Sequence, residues 1–332
     1  MIKITTCTDD TIAHAGALIR NGNLVAFPTE TVYGLGANAL DCAACAKIFT
    51  AKGRPQFNPL ITHVATTAEA QHYVEMTETA YLLAKHFWPG PLTMILPRKE
   101  HSPLSDLTTA GLPTSAIRVP SGDVAQKLIR AANVPIAAPS ANKSGTLSPT
   151  TPAHVADSLG ESIAMILAGG SCDIGLESTV IDLSTETPLI LRPGGVTADS
   201  IKTATGLDIR THTTSHTVSK FRPKSPGQLL KHYAPNIPVR LNAIDIKEGE
   251  ALLAFGSIKF MAKKSGGSAG TLPHFQIRNL SETADLNEAA TNLFRMLREL
   301  DTPSHSAIAV MNIPNTGLGI AINDRLHRAA EQ

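Results

Sequence analysis

Aromatic side chains are scarce in this sequence: they make up 4% of 332 residues, with one tryptophan and four tyrosines. A surface that reads unpaired bases by stacking would be short of platforms. A charge surplus is missing too, since 29 basic residues face 28 acidic ones for a net +1. Bulk attraction to nucleic acid or to an anionic membrane is thereby excluded, and any anion must be met by a few placed residues. No apolar run reaches the roughly 20 residues that span a bilayer. The start, Met1-Ile-Lys-Ile, turns polar after a strand-like run, so no secretory leader is expected. Four cysteines (Cys7, Cys42, Cys45 and Cys172) are too few for a disulfide framework in so long a chain. The expectation is a cytoplasmic protein with reduced thiols.

What is present is apolar material in ordered runs. Hydrophobic residues make up 42%, enough for a core, and the length suggests two domains of ~150 residues. Asp9-Asp10 can cap a helix through Ile12, Leu18 and Ile19, and Asp41 can cap another running to about Lys52. Helical patterns recur at Glu78–Phe87, Val124–Ala132 and Pro152–Leu159. Strands are expected at Leu24–Phe27, Leu60–Val64, Leu92–Leu96, Ala116–Val119, Ile136–Ala138, Ala164–Leu167, Thr179–Leu183 and Leu189–Leu191. Several connections are too short for helical crossovers, so the fold class is α/β with a twisted, mixed open sheet and helices packed on it. At about Thr211 the texture changes, and "THTTSHTVSKFRPKSPG" reads as a linker. Beyond it come a strand at Ala251–Phe255, a helix through Leu286, Ala290, Leu293, Leu297 and Leu300, a strand at Ala307–Val310 and a helix at Ala321–Ala330. That alternation predicts a small Rossmann-like α/β domain with a parallel sheet. "KKSGGSAG", Lys263–Gly270, reads as a surface loop.

Gly34-Leu-Gly36-Ala-Asn-Ala39 carries the G-x-G-x-x-A spacing of a dinucleotide loop. The acidic residue such a loop needs about 20 positions on is missing, because no acid stands between Asp41 and Glu69. The glycines are therefore read as turn and packing residues, and the polar run Thr29-Glu30-Thr31 before them as the chemistry. Lys52-Gly-Arg54-Pro is either an anion-facing loop or an exposed helix end. Arg118 inside "SAIRVP" and Arg192 in "LILRPGG" sharpen that choice, since arginines in apolar strands face either solvent or a cleft. The glycines after Arg192 would let a ligand approach the backbone. Between them "APSANKSGTLSPT" offers Ser140, Ser144 and Ser148 on a loop suited to phosphate. Together these clusters favour a nucleotide with a carboxylate nearby. Glu177 and Ser178 precede a strand, as a turn or as a pair facing a polar substrate, and His63 alternates with Ile61 as a core histidine would. Cys42-x-x-Cys45 lacks a second ligand pair and is read as buried thiols. His212 and His216, four apart without H-E-x-x-H, are given no metal.

"FPTETVYGLG", "KGRPQFNPLITH", "PGPLT", "AIRVP", "APSANKSG", "GLESTVIDL" and "LRPGGVT", followed by "SPGQLLKHYAP" and "TGLGIAINDRL", occur in an order that resembles the threonylcarbamoyl-AMP synthases of the two-domain form. The resemblance implies a YrdC-like catalytic domain over residues 1–206, a linker or lid over 207–238 and a C-terminal domain over 239–332. It implies that L-threonine, bicarbonate and ATP become threonylcarbamoyl-AMP and pyrophosphate, the product passing to the tRNA threonylcarbamoyl-transferase machinery. Threonine would be held by Thr31, His63, Arg118, Ala138 and Ser178. ATP would be held by Lys52, Arg54, Asn58, Thr114, Ser140, Ser148, Arg192 and Tyr233, with Mg²⁺ arriving on the phosphates and no metal cage of the protein's own. The mechanism is one of positioning, without a covalent enzyme intermediate. The rivals are an RNA-binding protein with a basic cleft and a different adenylate- or carbamoyl-transferring enzyme.

Overall fold

The computed structural model describes residues 4–55, 57–211, 232–258 and 276–331. The chain divides into two compact units: Met1–Ser144 with Pro149–Asp173 and Glu177–Leu229, and Gly145–Ser148 with Ile174–Leu176 and Leu230–Gln332. Most of the linker expected over 207–238, both linker histidines and Lys263–Gly270 lie outside the described residues.

The first unit opens with β1 (Ile4–Thr6), α1 (Asp9–Arg20), β2 (Val25–Phe27), β3 (Gly34–Asn38), α2 (Cys42–Lys52) and β4 (Ile61–His63). It continues with α3 (Thr67–Ala70), α4 (Glu78–Phe87), β5 (Leu92–Pro97), α5 (Asp106–Thr109), β6 (Thr114–Arg118), α6 (Asp123–Ala132) and β7 (Ile136–Ala137). It closes with α7 (Pro152–Leu159), β8 (Met165–Ala168), β9 (Thr179–Asp182), β10 (Leu189–Arg192), α8 (Ala198–Thr205) and β11 (Arg210–Thr211). The strands form one 11-stranded sheet in the order β1-β8-β2-β3-β7-β4-β6-β5-β9-β10-β11. Parallel pairs such as β4 with β6 and β5 with β9 sit beside antiparallel ones such as β5 with β6. The mixed open sheet expected from the short connections is the one observed.

Helix ends follow their local chemistry. Asp41 accepts from the amides of Ala43 and Ala44 to start α2, and Gly53 ends it in the left-handed region at φ 59°. The cap of α1 is Thr8, not Asp9 or Asp10, because Thr8 and Thr11 exchange the reciprocal bonds of a capping box. Strand alternation divides the core. On β5, Leu92, Met94 and Leu96 pack with Leu83 of α4 and Ile201 of α8, while Ile95 faces the other way.

The glycines of the opening motif correct the sequence reading. Gly34 and Gly36 are strand residues of β3, paired antiparallel with Phe27 and Val25 of β2. A Cβ on Gly36 would stand 2.9 Å from the Phe27 ring and 3.0 Å from Ile136. They are packing residues, and no turn passes there.

In the second unit β12 (Val239–Arg240), β13 (Glu250–Ala254), β14 (Ile277–Asn279) and β15 (Ala307–Val310) form a parallel sheet in the order β12-β15-β13-β14. Helix Leu286–Leu300 buries Ala289, Ala290, Leu293, Phe294, Leu297 and Leu300, the stripe its 3.6-residue period marks. Among the described residues no helix is long and apolar enough to cross a membrane.

Candidate active site

The strand pairings of the first unit set up the site. His63 ends β4 opposite Arg118 at the end of β6. β5 runs antiparallel to β6 and parallel to β9, so Thr93 and Ser178 lie at the starts of those strands, at the same end of the sheet. Arg192 ends β10, which runs antiparallel to β9. These five side chains form a polar band along one end of the sheet. Two residues further along the same strands, Ile61, Ala116, Ile95 and Val180 form an apolar cluster.

Arg118 is 3% exposed, which rules out the solvent face. Its Nε donates to Gly90 O at 3.1 Å, Nη1 to Thr31 Oγ1 at 3.0 Å and Nη2 to Glu30 Oε1 at 2.5 Å. A guanidinium has five N–H groups, so two remain that no described residue takes, one on each Nη. One uncommitted N–H on each terminal nitrogen suits an acceptor with two oxygens. Thr29 gives its hydroxyl proton to Val32 O at 2.7 Å, so the 2.7 Å contact between Thr31 and Thr29 must run from Thr31 to Thr29. The chain Arg118, Thr31, Thr29, Val32 thus has one direction, and what Thr31 still has to offer is a lone pair.

Glu30 sits buried beside this chain, and the sequence reading named it within the polar run without giving it a role of its own. Burial alone would raise its pKa, but the charge and hydrogen bond of Arg118, with the amides of Glu30 and Ser121, hold it below the ordinary carboxylate value. The signal was present: a carboxylate inside an apolar flank and an arginine inside an apolar strand each need a buried partner.

His63 is buried, as its alternation with Ile61 suggests, and it also lies beside Arg118. It is buried between the Phe27 ring, at 6.5 Å edge-on, and Arg118, and its Nδ1 donates to Ile61 O at 3.1 Å. Burial and the Arg118 charge push its pKa down to about 3. The ring is therefore neutral, with Nε2 an acceptor. The unfolded chain takes up a proton below its ordinary value of 6.5 while the folded ring does so only below about 3. Stability should thus rise with pH across that window, at up to ~1.4 kcal/mol per unit, and be unaffected by this residue above it. Urea titrations at pH 4.5 and 7.5 should show His63→Gln gaining ~2–3 kcal/mol on the wild type at the lower pH. A parallel pH dependence for the two would contradict this.

Lys52 and Arg54 are buried, so the exposed helix end is ruled out. Lys52 Nζ donates to Ser140 O at 2.5 Å, to Asn142 O and, at 3.5 Å, to Asn142 Oδ1. Burial, then the Arg54 charge, lowers its pKa well below the ordinary lysine value. Lys52 braces the 140–142 loop, and Asn142 is a residue the sequence reading missed. Arg54 donates to Asn58 O at 3.3 Å and Pro59 O at 2.9 Å. The Asn58 side chain is fully buried, yet neither end of its amide has a partner among the described residues.

Arg192 holds Ser178: Nε and Nη2 donate to Ser178 O at 3.1 and 2.8 Å, and Nη2 to Ser178 Oγ at 3.1 Å. Thr93 Oγ1 is 2.8 Å from the same hydroxyl. Ala138 is buried with its amide on Ile61 O, Thr114 starts β6 half-buried, and Ser140 is half-buried at the brace. Ser148 and Tyr233 belong to the second unit, where the Tyr233 ring lies 5.6 Å from Phe294 and 5.4 Å from the Arg325 guanidinium. Of the cysteine pair only Cys45 is buried. Cys42 opens α2 and is exposed, correcting the reading of two buried thiols. No cluster of three metal-ligating side chains occurs among the described residues.

The first unit thus carries a buried arginine with two uncommitted N–H groups, a buried lysine and arginine by a serine-bearing loop, and a buried amide without a partner among the described residues. The family model described as "Telomere recombination", of the Sua5, YciO and YrdC proteins, matches residues 17–194. That described as "Threonylcarbamoyl-AMP synthase, C-terminal domain" matches residues 196–331. The threonylcarbamoyl-AMP synthase of Pyrococcus abyssi is 43% identical over 323 residues, covering 95% of this chain and 93% of the relative. That of Bacillus subtilis is 41% identical over 326 residues, with 97% and 93% covered. The crystal structure of P. abyssi Sua5 complexed with L-threonine superposes with a TM-score of 0.87 at 39% identity, covering 99% of this chain and 97% of that one. Escherichia coli YciO, at 24% identity and a TM-score of 0.53 over 60% of this chain and 99% of its own, shares the fold. The chain belongs to the threonylcarbamoyl-AMP synthases, the two-domain nucleotidyltransferases that serve N6-threonylcarbamoyladenosine formation in tRNA.

Proposed function

We propose that L-threonine sets its carboxylate on the two remaining N–H groups of Arg118, with Thr31, His63, Ser178 and the Ala138 backbone around its hydroxyl and Cα. The observation that carries this is the count at Arg118: a buried guanidinium already fixed on three sides and left with a two-pronged fork. A lysine has no such fork.

ATP would lie along the same face, near Lys52, Arg54, Asn58, Ser140 and Arg192, with its adenosine toward Thr114. The spacing supports this, because Arg118, Ala116 and Thr114 share one face of β6 and strand geometry puts the ends of that row ~13 Å apart. Asn58 supports it too, since a buried amide without partners is suited to a polar ligand edge. Ser148 and Tyr233 rest on the family resemblance alone. Mg²⁺ belongs with the substrate, since it takes most of its ligands from phosphate and water.

The α-ammonium gives up a proton, and the amine so formed joins bicarbonate in a carbamate with loss of water. A carbamate oxygen then bonds to the α-phosphorus as the bond to the pyrophosphate oxygen breaks. The protein's part is to hold the two ends in line, offset phosphate charge and exclude water. Free thiols at all four cysteines go with a cytoplasmic setting, and the product would pass to a tRNA-modifying transferase, as the family resemblance implies. Pyrophosphate release from ATP, with threonine and bicarbonate omitted in turn, tests the reading. Release should require both, and release that ignored threonine would overturn it.

A further inference from the structure

Beside the Arg118 fork lies an oxygen that the reaction as derived does not use. Glu30 is 6% exposed, its Oε1 lies 2.5 Å from Arg118 Nη2, and its Oε2 is fully buried with no hydrogen bond among the described residues. The amides of Glu30 and Ser121 face the carboxylate without closing a bond on that oxygen. A buried anionic oxygen without a donor is costly, so its position needs a reason.

We propose that Glu30 completes a clamp for a zwitterion, with Oε1 fixing Arg118 and Oε2 receiving the α-ammonium of the bound amino acid. This rests on the threonine reading above and extends it to the amine. Two features of the site point to it. The first is polarity: around Arg118 the open donors are its two N–H groups, while Glu30 Oε2 and the spare lone pair of Thr31 are acceptors. An α-amino acid presents two acceptor oxygens and a three-pronged donor side by side, the complement of that set. The second is charge: Arg118 and Glu30 neutralise each other in a buried place. A neutral zwitterion preserves the balance. A plain carboxylate of the same shape leaves one negative charge uncompensated, which burial penalises strongly.

The test is calorimetric titration of L-threonine and of 2,3-dihydroxybutanoate, which has a hydroxyl in place of the ammonium, into wild type and Glu30→Gln. Wild type should prefer threonine by roughly 100-fold or more. Glu30→Gln should lose threonine affinity by roughly 30-fold or more while holding the hydroxy acid as well as before or better, so that the preference collapses. Equal weakening of both ligands would overturn the proposal, since it would mean that Glu30 serves only to hold Arg118. Unchanged threonine affinity would overturn it as well. If the variant does not fold, a wild-type structure with L-threonine decides: nitrogen within about 3.2 Å of Oε2 supports the clamp, and beyond about 4 Å rejects it. Wild type that binds ATP but not threonine would instead sink the threonine reading itself.

Discussion

Gly194→Ala should lower the stability of the first unit by about 3 kcal/mol or more, with a Tm drop of roughly 10 °C, and abolish threonine binding. A Cβ at this position would stand 2.4 Å from Glu177 O, 2.5 Å from the Ser178 carbonyl carbon and 2.5 Å from Thr179 N. All three are backbone atoms, so no side chain can swing away. The segments are also tied on either side of the clash. Arg192 holds Ser178, and Thr179 exchanges hydrogen bonds with Val196 at 2.5 and 3.0 Å. Forcing them apart moves the Ser178 hydroxyl, which the proposed threonine site uses. The glycine that suggested room for a ligand's approach is filled by the chain's own backbone. Calorimetric unfolding with a threonine titration checks the prediction, and a variant with wild-type Tm and affinity would contradict it.

Arg118→Lys should lose threonine affinity by at least ~100-fold while ATP affinity changes by less than about threefold. The charge survives, so Glu30 keeps a partner and the fold is expected to hold. What goes is geometry. Arg118 serves Gly90 O, Thr31 and Glu30 and still has one N–H to spare on each terminal nitrogen. An ammonium has three N–H groups in all, and satisfying the protein uses them up. Equal losses for the two substrates would mean that Arg118 acts as a general charge in the cleft and not as the carboxylate's partner.

Much of this was legible in the sequence for definite physical reasons. Caps and periodic apolar faces placed α2, α4, α7 and Leu286–Leu300, because each signal is local to its own turn. β3 was not legible: Gly-Leu-Gly-Ala-Asn has little strand propensity, and its pairing with β2 and β7 is set by Phe27 and Ile136, which need the space two glycines leave. The second sheet was half visible, since β12 and β14 are two and three residues long and carry no period to read. At the site, residue types were legible but their partners were not. Lys52 and Arg192 read as cations for phosphate, and only the fold shows that they also brace the carbonyls of Ser140, Asn142 and Ser178. Glu30 stood one residue from Thr31 in the sequence, and only the approach of β6 shows that it pairs with Arg118.

The central claim, that Arg118 is the receiver of the substrate carboxylate, is tested most directly by comparing L-threonine with L-threoninamide on wild type and Arg118→Lys. The amide keeps the ammonium, the hydroxyl and the shape, and it removes the negative charge and one of the two acceptor oxygens of the group under test. Wild type should bind threonine roughly 100-fold more tightly than the amide, and the variant should discriminate by less than about tenfold. If Arg118→Lys discriminated as sharply as wild type, the carboxylate would lie elsewhere and Arg118 would not be its receiver.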